Sequence, residues 1–147
     1  MTVHFEQIQV KAVHRETHEC VSLAFDIPDH LKDSFRYKPG QHLTLRAIIG
    51  GKDIRRSYSL CSSPLEGEWR VAVKKVEGGV FSTWANEQLK PGDILEVMPP
   101  MGHFYTEPKA PNRNTYVAIA AGSGITPVLS IIKTILATET GSSITLL

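Results

Sequence analysis

The 147-residue chain has only two cysteines, Cys20 and Cys61. That number excludes a disulfide framework and falls short of a four-thiolate zinc or iron–sulfur site, and it suits a reducing, cytoplasmic setting. Excess charge of one sign is also missing. Sixteen Lys and Arg against fifteen Asp and Glu leave a formal charge of +1. No global field therefore recruits nucleic acid or an acidic membrane, and any anion site has to be local. No uninterrupted apolar run reaches membrane-spanning length. The stretch "YVAIAAGSGITPVLSIIKTIL" comes nearest, and Gly122, Gly124 and Pro127 break it. The start "MTVHFEQIQV" has no basic segment leading into an apolar run, so no signal peptide is expected. The six histidines are scattered. His14 and His18 stand four apart, but in a region read as strand and turn, so no metal site is expected. Internal repeats and low-complexity tracts are absent.

What remains is a globular composition, 41% hydrophobic and 21% charged. Period-two alternation dominates the first hundred residues. Strands are expected around Ile8 and Val10, and through "CVSLAFDIP", "PGQHLTLRAI", "IRRSYSL", "EWRVAVKKV" and "ILEVMPP". "IGGKD" reads as a hairpin connection. "VFSTWANEQL" changes period: Phe81, Trp84, Ala85 and Leu89 lie at helical spacing, just after Gly78-Gly79. Short strands with one helical insertion predict a mainly β chain built on a closed antiparallel barrel over residues 1–107. Residues 108–115 read as a linker, within the Pro-rich and polar stretch "TEPKAPNRNT". Residues 116–147 then read strand, glycine turn, helix, strand, with Thr126 as N-cap and Pro127 at the first helical position. This is the first β-α-β of an α/β domain, and it is read as incomplete. "YVAIAA" is expected to be buried on both faces. The helix through Val128, Leu129, Ile131, Ile132, Ile135 and Leu136 is apolar nearly all round, so self-association is expected.

Three segments carry candidate chemistry. In "RRSYSLCS", alternation places Arg56 and Tyr58 on one face and Arg55, Ser57 and Ser59 on the other. A guanidinium next to a phenol ring suits an edge strand. It suits equally a ligand that has both a phosphate group and a flat ring. "EGGVFST" puts two glycines before a helix, whose free amides can hold an anion, and Ser82 can add a hydroxyl. "AAGSGITP" puts Gly122 and Gly124 between a buried strand and a helix, a setting that admits a nucleotide. Cys61 and Trp84 read as packing residues, and the pair Lys74-Lys75 as a solvated strand end.

Taken in order, "RSYS", "GGVFS", "PMGHF" and "AAGSGITP" resemble the motifs of the ferredoxin–NADP reductase superfamily over essentially the whole chain. "KPGQHLTL", "LEVMPPMGHF" and "AIAAGSGITPVL" look like the reductase components that serve phenylacetyl-CoA epoxidases. The resemblance implies a Greek-key flavin-binding barrel followed by the start of a nicotinamide-binding domain. It implies FAD ahead of FMN, NAD(P)H as reductant, and electron delivery to an iron–sulfur domain or protein and a downstream oxygenase. By the same resemblance Arg56 pairs with the flavin pyrophosphate. Tyr58 covers the ring and Ser59 lies near its hydride-accepting nitrogen, which makes these two the catalytic candidates. Ser57 binds the cofactor, and Val73 and Lys74 lie on the strand that lines it, where the contact can be through the backbone alone. Gly79, Val80, Phe81 and Ser82 bind the pyrophosphate, mainly through their amides, with the Ser82 hydroxyl assisting. Gly122, Gly124 and Thr126 face the nicotinamide. A 2Fe-2S centre is expected only in a C-terminal region outside these residues, and the chain is expected to bind flavin without completing the reaction efficiently. The other readings are a flavohaemoglobin-type or ferric-siderophore reductase module and a non-enzymatic binding barrel.

Overall fold

The structure is a computed structural model describing residues 4–147. Six antiparallel strands form the main sheet. They are β1 (Glu6–Thr17), β2 (Cys20–Asp26), β3 (His42–Ile49), β4 (Lys52–Ser59), β5 (Trp69–Lys74) and β6 (Ile94–Val97), in the spatial order β4-β3-β6-β1-β2-β5. The sheet curls until its two edge strands meet at a bridge between Leu60 and Val71, reinforced by the Cys61 amide donating to the Arg70 carbonyl at 2.9 Å. This contact closes the barrel predicted from the strand pattern.

The alternating residues build its core. Ile8, Leu23, Leu43, Leu45, Val71, Val73 and Val97 are fully buried. Each contributes about 1.5–3 kcal/mol relative to exposure. A one-residue slip of any strand would turn that set outward, so the pattern fixes the register. The β3–β4 hairpin is set by Gly50 and Gly51, with φ of 56° and 76°. Two consecutive positive φ values are what a tight hairpin turn following the sheet twist needs. Helix α1 (Val80–Glu87) packs across one end of the barrel and buries Phe81 and Ala85. Asn86 ties it down: its amide donates to the carbonyls of Val73 (2.9 Å) and Ser82 (2.8 Å).

The second unit comprises β7 (Thr115–Ala118), α2 (Ile125–Thr138) and β8 (Ser143–Leu146), with β7 and β8 parallel. Two expectations are corrected here. Thr126 is not the N-cap and Pro127 is not the first helical residue. A 3-10 turn through Gly122–Gly124 runs directly into α2, so Gly124 is the cap and Pro127 is third. Proline fits there because the first-turn amides have no intrahelical partner. Nor is "YVAIAA" buried on both faces. Val117 and Ile119 are 63% and 75% exposed, because α2 covers only one face of the two-stranded sheet.

Glu139, just past α2, is almost fully buried and closes this unit. Its carboxylate accepts from the Lys109 amide (3.2 Å), Asn112 (2.7 Å), Tyr116 (2.8 Å) and Ser142 (2.9 Å). Burial pushes its pKa up, but the hydrogen bonds from Asn112, Tyr116, Ser142 and the Lys109 amide outweigh that and hold it below the usual value. The carboxylate therefore stabilises the fold above its unfolded pKa, and that contribution disappears as pH falls through the lower folded value. Protection factors at 109–116, which remove the pH dependence of the intrinsic exchange rate, are expected to fall severalfold on acidification. In Glu139→Gln they should be low already at neutral pH, because one side-chain oxygen has become a donor facing other donors. Among the described residues no helix is long and apolar enough to cross a membrane.

Candidate functional site

The two edge strands that meet at Leu60–Val71 diverge beyond that bridge. A cleft of about 620 Å³ opens between them, within the usual range for ligand sites. Arg56, Ser57, Tyr58 and Ser59 of β4 form one wall, and Ala72 and Lys74 of β5 the other. Val76, Gly79, Phe81 and Ser82 close one end, and Gly122, Ser123, Ile125 and Thr126 of the second unit reach the same space. Among the described residues, Arg56 and Lys74 are its only charged lining groups. An anion therefore meets two cations and no competing carboxylate.

Strand pairing explains how β4 serves the cleft with both faces. His42 and Thr44 of β3 direct their backbone groups toward Met101 and Met98, on the far side from β4. Their opposite numbers, Ser59 and Ser57, therefore turn their amides and carbonyls to the free edge. Arg56 and Tyr58, opposite Leu45 and Leu43, bond to β3 and project their side chains. The Tyr58 ring lies 5.8 Å from Phe81, centroid to centroid, and Phe81 lies 5.6 Å from Trp84. Burial pushes the Tyr58 phenol above its ordinary pKa, so the ring stays neutral at physiological pH.

Helix α1 meets the cleft at its N-terminus. Its cap residue is Gly79, and no side chain caps the first turn. The amides of Val80, Phe81 and Ser82 are therefore left for a ligand. A Cβ on Gly79 would fall on the Ser82 hydroxyl and come within 2.5 Å of Val76 Cγ2, so any other residue would have to displace those side chains. The Ser82 oxygen accepts from the Val76 amide at 3.2 Å, leaving its proton free to donate.

Ten of the thirteen cofactor-binding candidates line this one cleft: Arg56, Ser57, Tyr58, Ser59, Lys74, Gly79, Phe81, Ser82, Gly122 and Thr126. Three do not. Val73 is fully buried in the barrel core, so its side chain cannot line the cleft. Alternation sends Ala72 and Lys74 there instead. Val80 is half-exposed and its side chain does not line the cleft, and neither does Gly124, although Gly122, Ser123 and Ile125 around it do. Cys20, Ala72, Val76, Ser123 and Ile125 were not anticipated. Cys20 enters because β2 places it opposite Lys74, and burial pushes its thiol above the ordinary pKa. Arg55 points away from the cleft, pairs with Asp53 at 3.0 Å and lies over the Phe5 ring. Lys75 pairs with Glu87. No cluster of three or more His, Cys, Asp or Glu capable of holding a metal occurs among the described residues.

Residues 7–105 match the family model for the oxidoreductase FAD-binding domain. The chain belongs to that family. It is 50% identical to a component of the 1,2-phenylacetyl-CoA epoxidase of Escherichia coli K12, over 97% of this chain and 40% of that protein. It is 41% identical to the ferredoxin reductase component of 3-ketosteroid-9-alpha-monooxygenase from Rhodococcus rhodochrous, over 95% of this chain and 39% of the relative. The chain thus spans about 40% of the length of these curated relatives. Among solved structures, it superposes on a ferredoxin NADP+ reductase from Neisseria gonorrhoeae with bound FAD and NADP. The TM-score is 0.76 at 22% identity, covering 97% of this chain and 57% of the other, a likeness of fold. It superposes equally well on phthalate dioxygenase reductase, a modular structure for electron transfer from pyridine nucleotides to 2Fe-2S. There the TM-score is 0.76 at 25% identity, over 97% of this chain and 42% of that one. The fold is therefore the ferredoxin reductase-type flavin barrel with a small second β-α unit, as the motifs implied.

Proposed function

We propose that this chain is the FAD-binding module of an NAD(P)H-dependent oxidoreductase. It would pass electrons to an iron–sulfur centre and serve an oxygenase of the phenylacetyl-CoA epoxidase kind. One observation carries the reading: a cleft with two cations, no acid, a set of uncapped helix amides and a neutral aromatic face, in a chain of this family. The donors suit a pyrophosphate, and the Tyr58 face suits a flat ring system.

Bound FAD would supply hydride acceptance from a nicotinamide and the release of electrons one at a time. The protein's work is to hold and orient. Arg56 supplies a guanidinium and α1 supplies amides for the pyrophosphate, with the Ser82 hydroxyl donating. Tyr58 supports the ring through its face. The Ser59 amide, on the free edge of β4, and its hydroxyl would donate to the hydride-accepting side of the ring. Gly122, Ser123 and Thr126, which line the cleft from the second unit, would leave room for a nicotinamide. No general base or nucleophile is needed, and among the described residues the cleft contains no carboxylate or imidazole.

The second unit is proposed as the start of the nicotinamide-binding domain, with 1–107 as the flavin domain and 108–115 as the linker. Its outward face, with Val117, Ile119 and Leu147 exposed, is proposed to support self-association. A cytoplasmic location is proposed from the paucity of cysteine. The test uses Trp84, which lies near the cleft through Phe81. Titrating FAD should quench tryptophan emission and saturate at one equivalent, whereas a single-stranded oligonucleotide should leave it unchanged. Quenching by the oligonucleotide and not by FAD would sink the reading and favour a nucleic-acid-binding barrel.

A further inference from the structure

Both units line the cleft, the barrel through β4 and β5 and the second unit through Gly122–Thr126, and hydroxyls join the segment after β4 to α2. Ser62, Ser63, Ser130 and Thr134 are 0–4% exposed. The Ser130 hydroxyl donates to the Ser62 carbonyl at 2.6 Å. The Thr134 hydroxyl donates to the Ser130 carbonyl at 2.7 Å, so in its 2.8 Å pair with Ser63 it is the acceptor. Ser63 in turn accepts from the Leu65 amide at 3.2 Å. The result is a directed relay running from the Leu65 amide through Ser63 and Thr134 to the Ser130 carbonyl, with a separate bond from Ser130 to Ser62. Lys133 and Glu66 flank it at 3.2 Å.

An α2 helix meant only to bury apolar surface would carry Ala, Val or Leu at these positions. A chain of buried hydrogen bonds instead specifies one register, because any slide leaves donors or acceptors unpaired. The seam also lies immediately behind the cleft. Ser62 and Ser63 follow Ser59 on the same segment, and Ser130 and Thr134 sit one and two turns beyond Thr126 on α2. Resting on the flavin reading above, we infer that Ser130 and Thr134 are positioning residues. They fix the Gly122–Thr126 wall at a set distance and angle from the β4 wall that holds the flavin ring. Neither touches the cofactor, since neither lines the cleft.

The experiment uses the full chain, with and without added FAD, as Ser130→Ala, Thr134→Val and Thr134→Ser. Without FAD, amide exchange at residues 122–138 should accelerate about threefold to tenfold in Ser130→Ala and Thr134→Val, while β1 and β2 stay unchanged. With FAD, both variants should hold it within about threefold of wild type, because the pyrophosphate donors all belong to the barrel. The visible circular dichroism of their bound flavin should nonetheless differ from wild type. Thr134→Ser keeps the hydroxyl and should restore both signals. Unchanged exchange at 122–138 and an unchanged flavin spectrum would overturn the inference, as would loss of flavin from the variants while wild type retains it. If wild type itself takes up no FAD, the flavin reading fails, and the exchange data on the apoprotein still decide whether the seam holds the two walls together.

Discussion

Arg56→Ala should weaken FAD binding by about 10- to 100-fold, the value of a lost charge-assisted contact to phosphate. Arg56 is exposed, and among the described residues the only hydrogen bond its guanidinium makes is to the neighbouring Arg55 carbonyl at 2.7 Å. The fold does not depend on it, so thermal stability should stay within about 0.5 kcal/mol of wild type. Arg56→Lys keeps the charge but loses the planar fork, and should fall between the two. Isothermal titration with FAD measures all three. An alanine variant that binds as tightly as wild type would remove Arg56 from the pyrophosphate site.

Gly79→Ala should be at least as damaging, by a different route. The added methyl meets Val76 Cγ2 within 2.5 Å and falls on the Ser82 hydroxyl. Relief requires the Ser82 and Val76 side chains to move, which disrupts the hydrogen bond from the Val76 amide to the Ser82 hydroxyl. Overpacking of this kind costs about 1–3 kcal/mol. Here the strain sits on the helix end that presents the amides, so FAD affinity should drop about tenfold or more, with a parallel loss of stability. Gly78→Ala is the comparison: its Cβ would meet nothing within 4 Å, but its φ of 69° strains any other residue. It should cost stability while leaving the amides in place. Equal FAD affinity in Gly79→Ala and wild type would show that the first turn of α1 does not hold the cofactor.

Much of this was legible in the sequence because the information is local. Period-two runs gave the barrel strands, Gly50-Gly51 gave the hairpin, and the change of period after Gly79 gave α1 within a residue or two. Arg56, Tyr58 and Ser59, which line the cleft, stand in one sequence motif, and the same alternation that buries Val71 and Val73 points to Ala72 rather than Val73 as a lining side chain. The rest depends on tertiary placement. Cys20 reaches the cleft only through the β2–β5 register. Ser123 and Ile125 reach it only because the seam docks α2 on the barrel. Ser62, Ser63, Ser130 and Thr134 read individually as unremarkable small polar residues, since their meaning lies in who faces whom across about seventy positions. The N-terminus of α2 was misplaced because a 3-10 turn and an α-helix share the same glycine and proline signals.

The central claim is that the cleft between β4 and β5 holds FAD. It is tested most directly by denaturing the purified protein and identifying what it releases by mass, after incubation with equal FAD and FMN and removal of the excess. The account predicts FAD at close to one equivalent per chain and little FMN. Release of no flavin would contradict it.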